Sequence, residues 1–505
     1  MKAYIIVDSS KVIGKKNPNL FGSFIEHVHQ CVYPGIFDPQ SVFADEQGLR
    51  KDVLEEIKNL NPATIRWPGG NFSSWYHWMD GIGPAENRKT RLSYADDITR
   101  QEPNLFGTDE YIKFCAQVGT QPYITVNVGN GTVDEAASWV EYCNGACGTF
   151  YSNLRKGNGS AKPFNVKYWE IGNEIYGDWQ IGTKTAVEYS RVLSEFSKAM
   201  KRVDPSIKVI AIGMGQHDPC WDRVILNNAW DYIDNISVHI YIGRHEYFDA
   251  FGQVFTIAEH LKKMEHDIIK ISEQKHSNRR IGLVISEWGI WYRKGHKDAL
   301  AEVYNLKDAL VFASSMNLML RFCRTLDFTH QAMLVNCLGL MRTKRNALVK
   351  QTLYYPFVLF SKETGDIVLA PEVWSEGFSC KDYRYFPWPV FDVARDNFQL
   401  DEDNVPDIHN IPYLDVSATY DSKEKNLCII AVNRHPEKSI SASIEPRGYE
   451  HKNRVFVSVV NGPDIDAIND FGKESVTMES YEEKIKTGTF QWDFPAHSIS
   501  MLKIK

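Results

Sequence analysis

From about residue 20 to residue 365, short β-rich runs alternate with stretches in which apolar residues recur every three or four positions. That alternation is the mark of parallel βα units. Eight runs read as strands: Phe21–Ile25, Thr64–Trp67, Pro122–Val126, Tyr168–Ile171, Val209–Ile212, Asn235–Val238, Ile281–Ile285 and Phe328–Leu334. Between them the spacing predicts helices. Leu49–Leu60 places Leu49, Val53, Leu54, Ile57 and Leu60 on one face and stops at Asn61-Pro62. Asp109–Val118 follows Thr108 as N-cap and ends at Gly119. Thr185–Val203 repeats apolar residues at 186, 189, 193, 196, 200 and 203 before Asp204-Pro205 halts it. A doubly wound open sheet shows the same alternation, but eight units favour a closed (β/α)₈ TIM barrel.

Beyond residue 365 the pattern changes. Leu414–Thr419, Leu427–Val432, Val455–Val460 and Thr489–Phe494 are short, alternating and separated by turn-rich stretches, as in a jelly-roll-like β-sandwich. The apolar run Tyr4–Val7 precedes the barrel and has no helix after it, so it is expected to join the C-terminal sheet. The expected division is a catalytic barrel over 20–365 and a sandwich formed by 1–19 with 366–505.

Composition narrows the function. The chain has 505 residues, 43% hydrophobic and 24% charged, which is ordinary for a soluble globular protein with a large core. A net charge of −7 lacks the basic footprint of a nucleic-acid binder. No apolar stretch approaches the roughly 18 residues needed to span a bilayer, and Tyr4–Val7 is too short for a signal-peptide core. Nine scattered cysteines without a Cys-x-x-Cys read as reduced thiols, not a disulfide framework or zinc site. The cytoplasm is therefore the expected address.

Barrel enzymes carry their working residues at the C-terminal ends of the strands. Those ends supply Glu26 and His27 (strand 1), Arg66 and Asn71 (strand 2), Asn127 (strand 3), Asn173 and Glu174 (strand 4), His239 and Tyr241 (strand 6), and Glu287 (strand 7). Carboxylates, amides, an arginine and tryptophans converging on one mouth suggest a sugar site. Carboxylates perform acid/base and nucleophilic work, amides and Arg bind hydroxyls, and aromatic faces stack on C–H surfaces. Glu174 and Glu287 are the sharpest pair, since each ends an apolar strand, the first after an Asn and the second before a Trp. A single strand-end Glu is more often merely solvated or salt-bridged, as His239 is often only a structural donor; two at strands 4 and 7 are not so easily dismissed. Glu170 lies inside its strand and reads as structural. Arg66 ends a buried strand and needs a partner, and the nearest are the site carboxylates.

At these positions the chain resembles glycoside hydrolase family 51, the α-L-arabinofuranosidases. The resemblance covers residues 22–27, 66–72, 106–110, 139–144, the Glu174 and Glu287 motifs, and 351–356, in order along most of the barrel. It implies a barrel with a sandwich built from both chain ends, and retention of configuration with Glu174 as acid/base and Glu287 as nucleophile. It further implies that Glu26, Arg66, Asn71, Asn173, Tyr241 and Gln351 hold the arabinosyl unit or support the nucleophile. The implied substrate is an arabinose-containing oligosaccharide or polysaccharide, with no cofactor and no metal, and homo-oligomers, often hexamers, are common in the family. One departure concerns the leaving-group side: the segment 93–102 lacks the Ala-Trp common in the family.

Three other readings share part of this pattern. A barrel glycosidase of other specificity (β-xylosidase, endoglucanase or galactofuranosidase) shares the fold, because fold does not fix substrate. A metal-dependent amidohydrolase is suggested by His27-x-His29, but the end of strand 5, Ala211–Gly215, offers no histidine. A non-catalytic sugar-binding protein is expected to lose one of the two carboxylates.

Overall fold

A computed structural model of the chain describes residues 1–93, 101–146, 148–215, 218–244, 246–292, 300–383, 405–449 and 453–505. Eight parallel strands close on themselves: β1 (Phe21–Phe24), β2 (Thr64–Trp67), β3 (Gln121–Val126), β4 (Tyr168–Ile171), β5 (Lys208–Ile212), β6 (Asn235–Ile242), β7 (Gly282–Ile290) and β8 (Leu326–Gln331). Each pairs with the next in sequence, and β8 returns to β1 with Thr329 opposite Phe21. The closed TIM barrel follows from the eight units read in the sequence.

The strands fall within two residues of their expected bounds except at three ends. β8 stops at Gln331, while β6 and β7 run on to Ile242 and Ile290, so that His239, Tyr241 and Glu287 lie within strands and not after them. The two stay paired through Ile242↔Ile290, with one shift of register after Val238, which carries His239, Tyr241 and Glu287 into the ladder. Inside the barrel Tyr123, Tyr168, Ile210, Val284 and Phe328 form their own small core, while Leu283 and Ile285 belong to the larger core on the helix side.

The helices expected from spacing form at Lys51–Leu60, Thr108–Val118 and Ala186–Val203. Thr185 caps the last by accepting from Glu188 N. Thr108 is not a cap: Gly107 holds that position, and Thr108 Oγ1 accepts from the Trp139 indole instead.

The C-terminal region forms two facing sheets with its own core, in which Ile5 and Val7 pack with Ile429, Ile444, Val457 and Leu502. Lys2–Asp8 runs parallel to Ile440–Arg447 and antiparallel to Glu372–Ser375. Val12–Lys15 pairs with Ile367–Leu369 in the second sheet. The barrel helix Leu306–Arg321 packs on the strand Leu414–Asp421, where Asp415 is held between Arg321 (2.5 Å) and Arg434 (2.8 Å).

Candidate active site

Arg66 is fully buried at the end of β2. A buried guanidinium survives only with partners, and it has them on every edge. Nε donates to Glu170 Oε2 at 2.5 Å and Thr125 Oγ1 at 3.0 Å, Nη1 to Glu287 Oε1 at 2.8 Å, and Nη2 to Asn173 Oδ1 at 2.6 Å. Burial disfavours its charge, but Glu170 and Glu287 outweigh burial and raise its pKa further. Glu170 therefore does face the barrel interior, where it holds the arginine that in turn holds Glu287.

Glu287 owes its position to an irregularity in β7. Val238 pairs with Ile285 and His239 with Glu287, so β7 carries one residue more than β6. Against β8 the count agrees, since Ile285 pairs with Thr329 and Trp288 with Gln331. Strict alternation would send neighbours to opposite faces, but this bulge turns Ser286 and Glu287 both inward. Trp288 then points out and stacks on Phe312 at 4.5 Å. Glu287 Oε2 accepts from the Tyr241 hydroxyl at 2.8 Å, so both of its oxygens have donors.

Glu174 lies past the end of β4, where the chain bends through Gly172 (φ +88°) and Glu174 itself takes φ +41°. A positive φ in a residue other than glycine is strained and is found at functional sites. The residue is 5% exposed and its carboxyl is held at both oxygens. His239 Nδ1 lies 2.9 Å from Oε1, and the Trp179 indole donates to Oε2 at 3.0 Å. Two neighbouring carboxyls would be expected to push one pKa up. Here burial does push Glu174 up, but the hydrogen bond and charge of His239 outweigh it and bring Glu174 below its ordinary value. For His239 the balance is the mirror image: burial lowers its pKa, yet Glu287 and Glu174 together raise it. The two shifts run in opposite directions, each group favouring the charged form of the other.

One oxygen of Glu174, one ring nitrogen of His239 and one oxygen of Glu287 lie within 4.8 Å of one another. Among the described residues this is the one such grouping with spacing suited to a metal ion. Arg66 and Tyr241 already occupy the oxygens of Glu287.

Glycines bring a further carboxylate close. Gly69 has φ +136°, and a Cβ there would fall 2.2 Å from Glu26 Cγ; one on Gly70 would fall 2.8 Å from Glu287 Oε1 and 3.2 Å from Glu26 Oε2. Glu26 Oε1 accepts from Phe72 N at 2.9 Å. Asn71 is exposed, and its Oδ1 accepts from Asn173 Nδ2 at 3.2 Å and from Gln180 Nε2.

Glu26, Arg66, Asn71, Asn173, Glu174, His239, Tyr241 and Glu287 are thus linked at one end of the barrel. Gln351 is placed differently: it is buried, accepts from Tyr304 N, and donates to Gly339 O and Glu302 O. Asn127 is spent on loop contacts, accepting from Asn130 N and Gly131 N and donating to Asn130 Oδ1 and Tyr76 O. Trp67 Nε1 donates to His27 Nε2 at 3.0 Å, which leaves the ring hydrogen on Nδ1, facing Glu102 at 3.1 Å. Both nitrogens of His27 are engaged, so it does not serve as the first ligand of an amidohydrolase-type metal pair.

Sequence reasoning missed Trp179, Gln180 and Ser286. The first two follow Glu174 by five and six residues, and a Trp-Gln pair closing on Gly182 was a usable signal. Ser286 gave none, because alternation alone cannot reveal a bulge. Most of the divergent segment 93–102, residues 94–100, lies outside the described residues.

Comparison with known proteins is consistent along the whole chain. Residues 56–257 match the family model described as alpha-L-arabinofuranosidase 1 domain, and residues 286–498 that of the alpha-L-arabinofuranosidase C-terminal domain. A probable alpha-L-arabinofuranosidase C of Aspergillus niger is 35% identical over 99% of this chain and 97% of its own length. An intracellular exo-alpha-(1->5)-L-arabinofuranosidase 1 of Bacillus subtilis is 33% identical over 95% and 94%. The crystal structure of an alpha-L-arabinofuranosidase from Thermotoga maritima, in complex with arabinose, superposes with a TM-score of 0.89 at 34% identity, covering 99% of each chain.

Proposed function

The chain belongs to glycoside hydrolase family 51, the α-L-arabinofuranosidases, and from that membership and the geometry of its barrel mouth we infer how its residues divide the work. It is a retaining, exo-acting glycosidase that releases terminal α-L-arabinofuranosyl groups. Glu287 is the nucleophile and Glu174 the acid/base. The observation that carries this assignment is the spacing of the pair, with one oxygen of each within 4.8 Å of the other. Retaining pairs are separated by about 5–5.5 Å, whereas inverting pairs stand roughly 6.5–9.5 Å apart to admit a water.

In the first step a Glu287 oxygen bonds to the anomeric carbon while the bond to the leaving oxygen breaks. The proton on the Glu174–His239 contact passes through Glu174 to that oxygen. Arg66 and Tyr241 keep Glu287 ionised and aimed until it attacks. In the second step water bonds to the anomeric carbon, gives its proton to Glu174, and the ester to Glu287 breaks. Glu26, Asn71 and Asn173 line the place of the sugar and offer acceptors and donors to its hydroxyls, and Gln351 supports the neighbouring backbone.

The barrel spans 20–365 and the sandwich 1–19 with 366–505, a division supported by the pairing of the N-terminal strands with C-terminal ones. The cytoplasm as address is supported by the name of the Bacillus subtilis relative and by the eight described cysteines, none of them in a disulfide. Homo-oligomerisation rests on family habit and is checked by light scattering on the purified protein. Proton NMR of the first sugar released from an aryl α-L-arabinofuranoside tests the central reading: retained configuration is expected, and inverted arabinose would overturn it.

A further inference from the structure

Asn71 stands exposed at the barrel mouth, and an asparagine there can offer a sugar either an acceptor or a pair of donors. Which end it offers follows from a chain of bonds that starts at Arg66. A guanidinium only donates, so the Asn173 atom 2.6 Å from Arg66 Nη2 is the carbonyl oxygen. The other end of that amide, Nδ2, donates, and the Asn71 atom that receives it at 3.2 Å is Oδ1. Gln180 meets the same oxygen, so its facing atom is Nε2. No hydroxyl interrupts the chain, and turning any one amide over sets nitrogen against nitrogen or oxygen against oxygen.

Both lone pairs of Asn71 Oδ1 are thus taken from within the protein, and Nδ2 is the end left for a ligand. We infer that Gln180 is a positioning residue that, with Asn173, locks Asn71 so that it meets the arabinosyl unit as a donor only; this rests on Asn71 lining the place of the sugar.

Asn173 alone would hold Asn71 by one bond of 3.2 Å, about which an exposed amide can swing. Gln180 supplies the second point, closer than the first. The residue is suited to this, since it is 6% exposed and its backbone is tied on both sides. Gln180 N donates to Gly177 O at 3.1 Å, and Gln180 O accepts from Thr183 Oγ1 at 2.7 Å. Gly182, with φ +72°, lets the loop pack closely, because a Cβ there would collide with Gly129 O. The loop that sets Trp179 on Glu174 therefore sets the very next residue on Asn71.

The test compares kcat/KM of the wild type, Gln180→Met and Asn71→Ala on an aryl α-L-arabinofuranoside and on its 2-, 3- and 5-deoxy analogues. Methionine keeps the length of Gln180 and removes its donor. The hydroxyl that Asn71 serves is the one whose loss costs the wild type much and Asn71→Ala little. On the parent substrate Gln180→Met should fall about five- to tenfold, the worth of a neutral hydrogen bond. On the analogue without that hydroxyl it should fall less than about twofold, while the other analogues show the full loss. Gln180→Glu, of the same shape, should lose at least as much through the same hydroxyl, since its ionised carboxyl sets oxygen against Oδ1. The limbs of the pH profile for Gln180→Met should stay in place, because the amide acts through Asn71 and not through Glu174. Equal losses on every substrate, or a displaced alkaline limb, would reveal a loosened loop and overturn the inference. If Asn71→Ala discriminates no hydroxyl, Asn71 does not line the sugar and that reading falls. If Asn71→Ala discriminates one while Gln180→Met does not, only the role of Gln180 falls.

Discussion

Trp179 donates its indole N–H to Glu174 Oε2 at 3.0 Å while remaining 41% exposed, so the acid/base is held from the solvent side by a residue that a leaving group can reach. Gly177 makes room for it, since a Cβ there would fall 2.3 Å from the indole ring. The N–H stabilises the ionised carboxylate. Trp179→Phe keeps a ring and removes the donor, so the Glu174–His239 pair should hold its proton to higher pH. The alkaline limb of kcat/KM should move up. A limb that moves down or stays put would show that the indole does not bear on the proton.

Arg66 is the keystone of the buried charges. Replacing it with Met leaves Glu170 and Glu287 without their common partner, a loss on the order of 3–5 kcal/mol for a broken buried pair. The expected result is a large fall in the urea midpoint together with loss of turnover. Arg66→Lys should recover little of either, because a single ammonium cannot reproduce bonds to Glu170, Glu287 and Asn173 at once.

Tyr241→Phe removes the donor 2.8 Å from Glu287 Oε2 and little else. A hydrogen bond to a charged group is worth about 1.5–3 kcal/mol, so kcat/KM should drop roughly 10- to 100-fold with an almost unchanged melting temperature. The carboxylate leaves less readily in the second step without that donor. A burst of nitrophenol from an aryl arabinofuranoside should therefore become visible or grow in stopped flow.

Asp415 ties the barrel helix Leu306–Arg321 to the sandwich. Burial pushes its pKa up, but Arg321 and Arg434 outweigh burial and hold it well below the usual carboxylate range. A depressed carboxyl pKa contributes stability that is present above the unfolded value, near 4, and lost as the pH falls toward the folded one. Acidification from pH 7 to 3.5 should lower the urea midpoint more in the wild type than in Asp415→Asn. Equal drops would place the acid sensitivity elsewhere.

Deleting residues 1–12 removes Ile5 and Val7, both wholly buried, and leaves Glu372–Ser375 and Ile440–Arg447 without the strand between them. The truncated protein should melt at a markedly lower temperature or be insoluble. An unchanged melting curve would mean that the strand merely rests on the sandwich.

Much of the barrel was legible because its strands are buried on both faces and its helices carry a regular apolar stripe. Strand ends then pointed directly to Glu174, Glu287 and Arg66. Legibility failed where geometry broke the local rule. Ser286 was invisible because an even alternation assigns it the wrong face. Trp179 was missed because its approach to Glu174 depends on a tight loop through Gly177. In the sandwich, Thr477–Lys484 carries almost no apolar residues, as befits an exposed edge strand, and Ile440–Arg447 alternates with small residues and a proline that mask its period. Gln351 stood in a recognisable motif, yet only the structure reveals that its amide is bonded to backbone.

The strand Lys2–Asp8 has a consequence for how the protein comes into being. The backbone of Ser441 donates to Met1 O, and the first amine reaches Ser439 O, 438 residues away. A ribosome adding about 5–20 residues per second needs roughly 20–90 s to cover that distance. Until Glu372–Ser375 is made Lys2–Asp8 has no mate, and the strand on its other side, Ile440–Arg447, comes later still, although the barrel between can already begin to close. An apolar strand thus stays uncovered while the whole barrel is synthesised, and the sandwich can be completed only after the barrel it packs against.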